Sequence, residues 1–303
     1  MRKITVRKFF TSQWQYLVLV APAIILFLVF NYFPMFGLVL SFKNLTPGQT
    51  IFNAPWVGFK WFTTFFNSPY FWRSIKNTLV ISFSSLIIGF PLPIILALMI
   101  NEIRNKRYKK LSQSISYFPY FISTVIVVQI LMNFLGVDNG LVNNLRDAAG
   151  LDRINFFNAE EWFLPLYIIT DLWKGLGWAS IIYLAALTSI DPALYEAAMI
   201  DGASRIKQIW HVSLPGILGT IMILLLLNVG NILNVGYEKI LLMYNPSTYS
   251  VADVVSTYVY REGIVNYRVG YATAIGLFNQ LCCFIILTTS NKISRRISGE
   301  SLW

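Results

Sequence analysis

Histidine and cysteine are nearly absent. One histidine, His211, and two adjacent cysteines, Cys282 and Cys283, are all that 303 residues contain. Two neighbouring cysteines inside an apolar run make neither a disulfide framework nor a metal-ligand spacing, so small hydrophobic filler is their expected role. A single histidine leaves little room for a histidine-based triad. No G-x-x-x-x-G-K-[ST] run occurs, which excludes nucleotide binding by a P-loop. No alternation over about ten residues marks a β-barrel. These gaps leave no case for an enzyme acting alone. No cofactor is expected in the chain, and any ATP it uses must be hydrolysed by a separate subunit.

Charge is scarce as well. Charged residues make up 13% and apolar residues 56%, far from the balance of a soluble domain. The 23 Phe, 16 Tyr and 9 Trp suit membrane cores and interface belts. A formal charge of +10 could signal nucleic acid, but the basic residues stand in short clusters beside apolar runs. Orientation in a membrane explains them better, and no nucleic-acid partner is expected. No cleavable leader is expected either, because the first apolar run is long and passes through Phe33 and Pro34 without a small-residue cleavage site.

Six runs are long enough to span a bilayer, at about 16–40, 74–100, 111–135, 163–187, 216–236 and 269–291. The chain therefore reads as one all-α transmembrane domain over 1–303. Between the first two runs, Trp56, Phe59, Trp61, Phe62, Phe65 and Phe66 suit a helix lying at the interface. Six spans put both termini on one side. That side carries Arg2, Lys3, Arg7 and Lys8, five basic residues at 104–110, Arg205 and Lys207, and Lys292, Arg295 and Arg296. Fourteen basic residues there against nine opposite place both termini and the 191–215 segment in the cytoplasm.

That segment, DPALYEAAMIDGASRIKQIWHVSLP, is the most polar, helix-friendly piece of the second half. Asp191 is a good N-cap and Pro192 fits the first helical position. Leu194 to Ile200 supports a short helix, Gly202 permits a sharp turn, and Ala203–His211 reads as a second helix with Ile206, Ile209 and Trp210 apolar. Pro215 restarts the chain into the next span.

Polar residues inside the spans mark a candidate pathway. Asn228, Asn231 and Asn234 recur every three residues, which keeps them on one helix face. Amides facing lipid would be costly, so that face should turn to the bundle interior or to water. Tyr167, Trp173 and Trp178 lie in the fourth run, Gln129 and Asn133 in the third and Asn279 in the sixth. Amides with aromatics suit a neutral polyol, whose hydroxyls bond amides while its C–H faces stack on rings. Helix–helix bonding is the plainer role of each amide taken singly. Asp171 and Lys174, three apart, are expected to pair structurally.

The pattern Glu196-Ala197-Ala198, three residues, Gly202, nine residues, then Val212-Ser213-Leu214-Pro215 resembles the EAA loop of binding-protein-dependent ABC importer permeases. Only Val212, in place of isoleucine, departs from it. LVAPAIILFLVFNYFP, GFKWFTTFF, NTLVISF and YFPYFISTVIV resemble the carbohydrate-uptake subclass, and NILNVGYEKILLMYNP at 231–246 resembles its oligosaccharide branch. The resemblance implies a type I importer permease fold. It also implies a second permease chain, two ATPase subunits holding ATP and Mg, an extracellular sugar-binding lipoprotein and a carbohydrate substrate. Glu196, Ala197, Ala198, Asp201, Gly202, Arg205, Leu214 and Pro215 would then form the coupling surface for the ATPase. Arg205 would meet that subunit or lipid headgroups. An ion-coupled secondary transporter and a membrane scaffold are the other readings. Asp171 is the one plausible intramembrane acid for the former.

Overall fold

The computed structural model describes residues 14–297, 299 and 301–303. The basic residues Arg2, Lys3, Arg7 and Lys8 lie outside them. Among the described residues every regular element is helical, apart from an isolated antiparallel bridge between Lys43 and Trp56. Helix α1 (Trp14–Phe27) continues through a π turn and a 3-10 stretch to Phe42. Helices α2 (Lys60–Phe66), α3 (Pro69–Gly89) and α4 (Pro91–Asn101) follow, then α5 (Lys106–Tyr117), α6 (Thr124–Leu135) and α7 (Leu141–Ala148). The second half holds α8 (Glu160–Thr188), α9 (Pro192–Ile200), α10 (Arg205–Gln208), α11 (Leu218–Gly230), α12 (Tyr237–Met243), α13 (Val255–Tyr260) and α14 (Val269–Ile297).

By length and composition, Trp14–Phe42, Pro69–Asn101 and Val269–Arg296 can each cross a membrane. Three further pairs meet the same test only when a bend is allowed within them: 94° at 121–124, 72° at 188–192 and 61° at 216–218. The prolines explain two of the bends. Pro119 starts a 3-10 turn, Phe118–Phe121, and Ser123 then caps α6 by accepting from Ile126 N at 3.3 Å. The expected single helix over 111–135 is thus two helices at nearly a right angle. Pro215, which has no N–H to continue a helical ladder, precedes the break into α11. That helix ends at Gly230, short of the expected 236, and Asn231 to Asn234 form a hydrogen-bonded turn.

Four buried clusters hold the bundle. One joins α3, α6, α8 and α12 through Ile81, Val128, Tyr167, Ile168, Ile240 and Met243. A second joins α4, α8 and the start of α11 through Ile94, Ala97, Ile100, Tyr183, Leu184, Leu187 and Ile217. A third collects Phe65, Val255, Tyr258, Tyr271 and Ile275. Phe65 is 1% exposed, so the aromatic segment expected to lie at the interface sends one ring into the core. The fourth sets Ile232 and Leu233 against Cys283, which gives that cysteine the filler role expected of it. Asp253 fastens the 249–268 segment to α3. Its fully buried carboxylate accepts from Arg73 at 3.0 Å and Arg261 at 2.7 Å. Burial alone would lower the Arg261 pKa, but the hydrogen bonds and charge of Asp253 outweigh it and the pKa is raised.

Candidate functional site: a polar cavity and a docking elbow

The elbow is built locally. Asp191 accepts from Ala193 N at 2.9 Å and starts α9. The helix closes with Gly202 N–H donating to Met199 O and Ala203 N–H to Ala198 O, which needs Gly202 at φ +72°. This is the left-handed C-cap that glycine favours. The second helix is shorter than Ala203–His211: α10 covers four residues and then loosens into a π turn over Ile209–Ser213. Tyr195 OH and Ser213 Oγ, 2.9 Å apart, clamp the two arms.

Glu196, Ala197, Asp201 and Gly202 are exposed and Ala198 is half-buried. Around them Leu194, Met199, Ile206 and Trp210 are exposed, and Ile200 is 87% exposed. Arg205 is bound within the chain. Its Nη1 donates to Glu102 Oε2 at 2.7 Å, which ties the elbow to the segment after α4. Leu214 and Pro215 stand at its base, three and two residues before Ile217, which is 1% exposed in the cluster with α4 and α8. A push on the elbow therefore reaches three helices through packed side chains.

The second feature is a cavity of about 370 Å³ walled by α3, α4, α8 and the end of α11. Asn228, Asn231, Asn234 and Tyr167 line it, as do Ser82, Ser85, Gly89, Asp171 and Gly175. The three asparagines meet there although Asn234 has left the helix. Asn228 and Asn231 donate back to Leu224 O and Leu227 O. Asn234 Oδ1 accepts from Asn279 at 3.0 Å and Gln280 at 3.1 Å, so Asn279 sets Asn234 from behind instead of lining the cavity. The buried hydroxyls of Ser82 and Ser85 have no partner among the described residues. Unsatisfied hydroxyls beside amides on an apolar wall can take up the hydroxyl groups of a solute.

Gln129, Asn133, Trp173 and Trp178 do not line the cavity. Gln129 donates to Asn133 along an exposed face of α6. Trp178 stacks on Tyr120 at 4.4 Å, and Trp173 is half-exposed. The Asp171–Lys174 pair is replaced. Asp171 Oδ1 lies 2.7 Å from Lys239 Nζ on α12, and Lys174 instead donates to Thr124 Oγ1 at 2.8 Å. Spacing within one helix could not reveal a partner 68 residues away. Sequence reasoning also missed Ser82, Ser85 and Gly175, small residues with no signal of their own.

Membrane-crossing helices, a polar cavity between them and an exposed elbow packed against their ends describe a membrane permease. Residues 89–299 match the family described as binding-protein-dependent transport system inner membrane component, and the chain belongs to that family. It is accordingly a multi-pass bacterial membrane protein and a permease of the ABC transporter class. It is 41% identical over its whole length to the polygalacturonan/rhamnogalacturonan transport system permease protein YteP of Bacillus subtilis, covering 94% of that protein. It also matches a chain in the crystal structure of a bacterial ABC transporter involved in the import of the acidic polysaccharide alginate. There the TM-score is 0.89 at 47% identity, with 97% of this chain and 99% of that one covered. A further structure of the alginate transporter, in complex with an alginate pentasaccharide-bound periplasmic protein, matches with the same TM-score at 46% identity, over 98% of this chain and 99% of that chain.

Proposed function

We propose that this chain is one half of the translocation pathway of an ATP-driven importer that carries an oligosaccharide. An extracellular binding protein delivers the sugar, and a second permease chain completes the pathway. Two ATPase subunits, which hold the ATP and Mg, dock on the elbow at 191–215. Each of the three bent helix pairs contributes one span, with α9 and α10 left to the elbow, which makes six and leaves both termini cytoplasmic. Glu196, Ala197, Ala198, Asp201 and Gly202 form the docking face, Arg205 braces it, and Leu214 and Pro215 hinge it to α11. Asn228, Asn231, Asn234 and Tyr167 act in the sugar path, with Asn279 in support. Gln129, Asn133, Trp173 and Trp178 come into play where the partner permease closes against this chain.

The observation that carries this reading is the pair of unpartnered hydroxyls of Ser82 and Ser85 beside the amide of Asn228 in a cavity enclosed by the helices that the elbow braces. The matched transporters, named for polymeric sugars, agree with it. The test is ATP hydrolysis by the purified complex in liposomes. Sugar-loaded binding protein is expected to stimulate hydrolysis and drive uptake. Uptake that survives ATP depletion and collapses with an ionophore would instead establish ion coupling.

A further inference from the structure

A second cavity, of about 190 Å³, opens beside the first and shares Tyr167, Asp171 and Gly236 with it. Its remaining wall includes Thr124, Thr170, Lys174, Glu238 and Lys239. Its volume is several times the ~30 Å³ share of one water molecule. The two lysines differ. Lys239 is committed: it donates to Asp171 and to Tyr167 O, and its ammonium lies 3.9 Å from the Tyr167 ring centroid. Among the described residues Lys174 donates only to the Thr124 hydroxyl. Glu238 is exposed and makes no ion pair among the described residues.

Lys174 sits at the midpoint of α8, about 20 Å from either end at 1.5 Å per residue, with no ion-pair partner among the described residues. An ionisable residue midway along a membrane-crossing helix points to function. Thr124, which accepts its hydrogen bond, is the first residue of the 12-residue helix α6. The dipole of that helix end disfavours a cation and favours an anion, with the Ile126 N–H already taken by Ser123. The ammonium and the helix end thus converge on a space next to the sugar path; of the two carboxylates that line it, Asp171 is held by Lys239, and among the described residues neither it nor Glu238 pairs with Lys174.

We propose that this pocket takes a carboxylate of the translocated sugar, with Lys174 as the charge-reading residue, so that the path prefers uronic-acid oligomers over neutral ones. The proposal rests on the oligosaccharide-import reading above. Asp171, held by Lys239, separates the carboxylate subsite from the hydroxyl-binding cavity.

The test is equilibrium binding to the purified complex, using a galacturonate pentasaccharide and its carboxyl-reduced neutral counterpart. The intact complex is expected to bind the acid at least tenfold more tightly. Lys174→Gln should erase that preference while binding of the neutral sugar persists, and Lys174→Arg should keep it. Equal binding of the two sugars by the intact complex overturns the proposal, as does a preference that survives Lys174→Gln. So does a preference seen in phosphatidylcholine nanodiscs but abolished in phosphatidylglycerol, which would assign the pocket to a lipid headgroup. Failure of both sugars to bind, with no sugar-stimulated ATP hydrolysis, would instead overturn the import reading itself.

Discussion

Lys239 Nζ lies 2.7 Å from Asp171 Oδ1 and joins α12 to the middle of α8. The two ends of this pair are unequally buried, with side chains 10% and 49% exposed. Losing one partner of a buried pair costs about 3–5 kcal/mol because it strands the other charge. Asp171→Asn strands the buried ammonium and should approach the low end of that range. Lys239→Met leaves a half-exposed carboxylate and should cost about 1 kcal/mol, as a surface pair does. Thermal unfolding of the detergent-purified complex checks the order, and equal losses would contradict it.

Gly177 and Gly175 should behave oppositely under the same substitution. A Cβ on Gly177 would fall 2.0 Å from Ser116 O, a backbone atom of α5 that cannot turn aside. Gly177→Ala should therefore force α5 and α8 apart at about 1–3 kcal/mol. Gly175 has nothing within 4 Å, so Gly175→Ala should be neutral or gain up to about 1 kcal/mol of helix propensity. Melting temperatures of the two variants decide it.

The elbow separates backbone strain from contact. Gly202 has open space around it but sits at φ +72°. Asparagine tolerates that region and valine does not. Gly202→Asn should keep most ATP-coupled uptake, whereas Gly202→Val and Glu196→Lys should abolish it. All three should insert normally, as read by membrane fractionation. Normal uptake in Gly202→Val and Glu196→Lys would remove the coupling role.

The unpaired hydroxyls of Ser82 and Ser85 give a functional test that stability does not share. Removing a buried hydroxyl that has no protein partner should leave the melting temperature unchanged or slightly raised. If each bonds the sugar in transit, at about 1 kcal/mol, Ser82→Ala and Ser85→Ala should each raise the half-saturating sugar concentration about fivefold. Unchanged transport kinetics would remove both from the path.

Much of this was readable along the chain because its signals are local. An N-cap at Asp191 and a glycine obliged to turn at 202 fall within a few residues of what they control, so the first helix and the turn of the elbow were legible, whereas its shorter second helix and the Arg205–Glu102 tie were not. Apolar runs report solvent class wherever they lie. The breaks were harder to see. Pro119 is tolerable in a continuous membrane helix, so its presence alone does not say that the chain turns through 94° at 121–124.

The order of the residues determined that the chain is helical, belongs in a membrane and carries an exposed elbow, because propensity, capping and hydropathy act over a handful of neighbours. Only the tertiary structure decided which of its polar groups share a cavity. It brought Asn234 to Asn228 after the helix between them had ended, matched Asp171 with Lys239, and left Lys174 without an ion-pair partner among the described residues. Those outcomes depend on distances between segments tens of residues apart, which no spacing along a single helix contains.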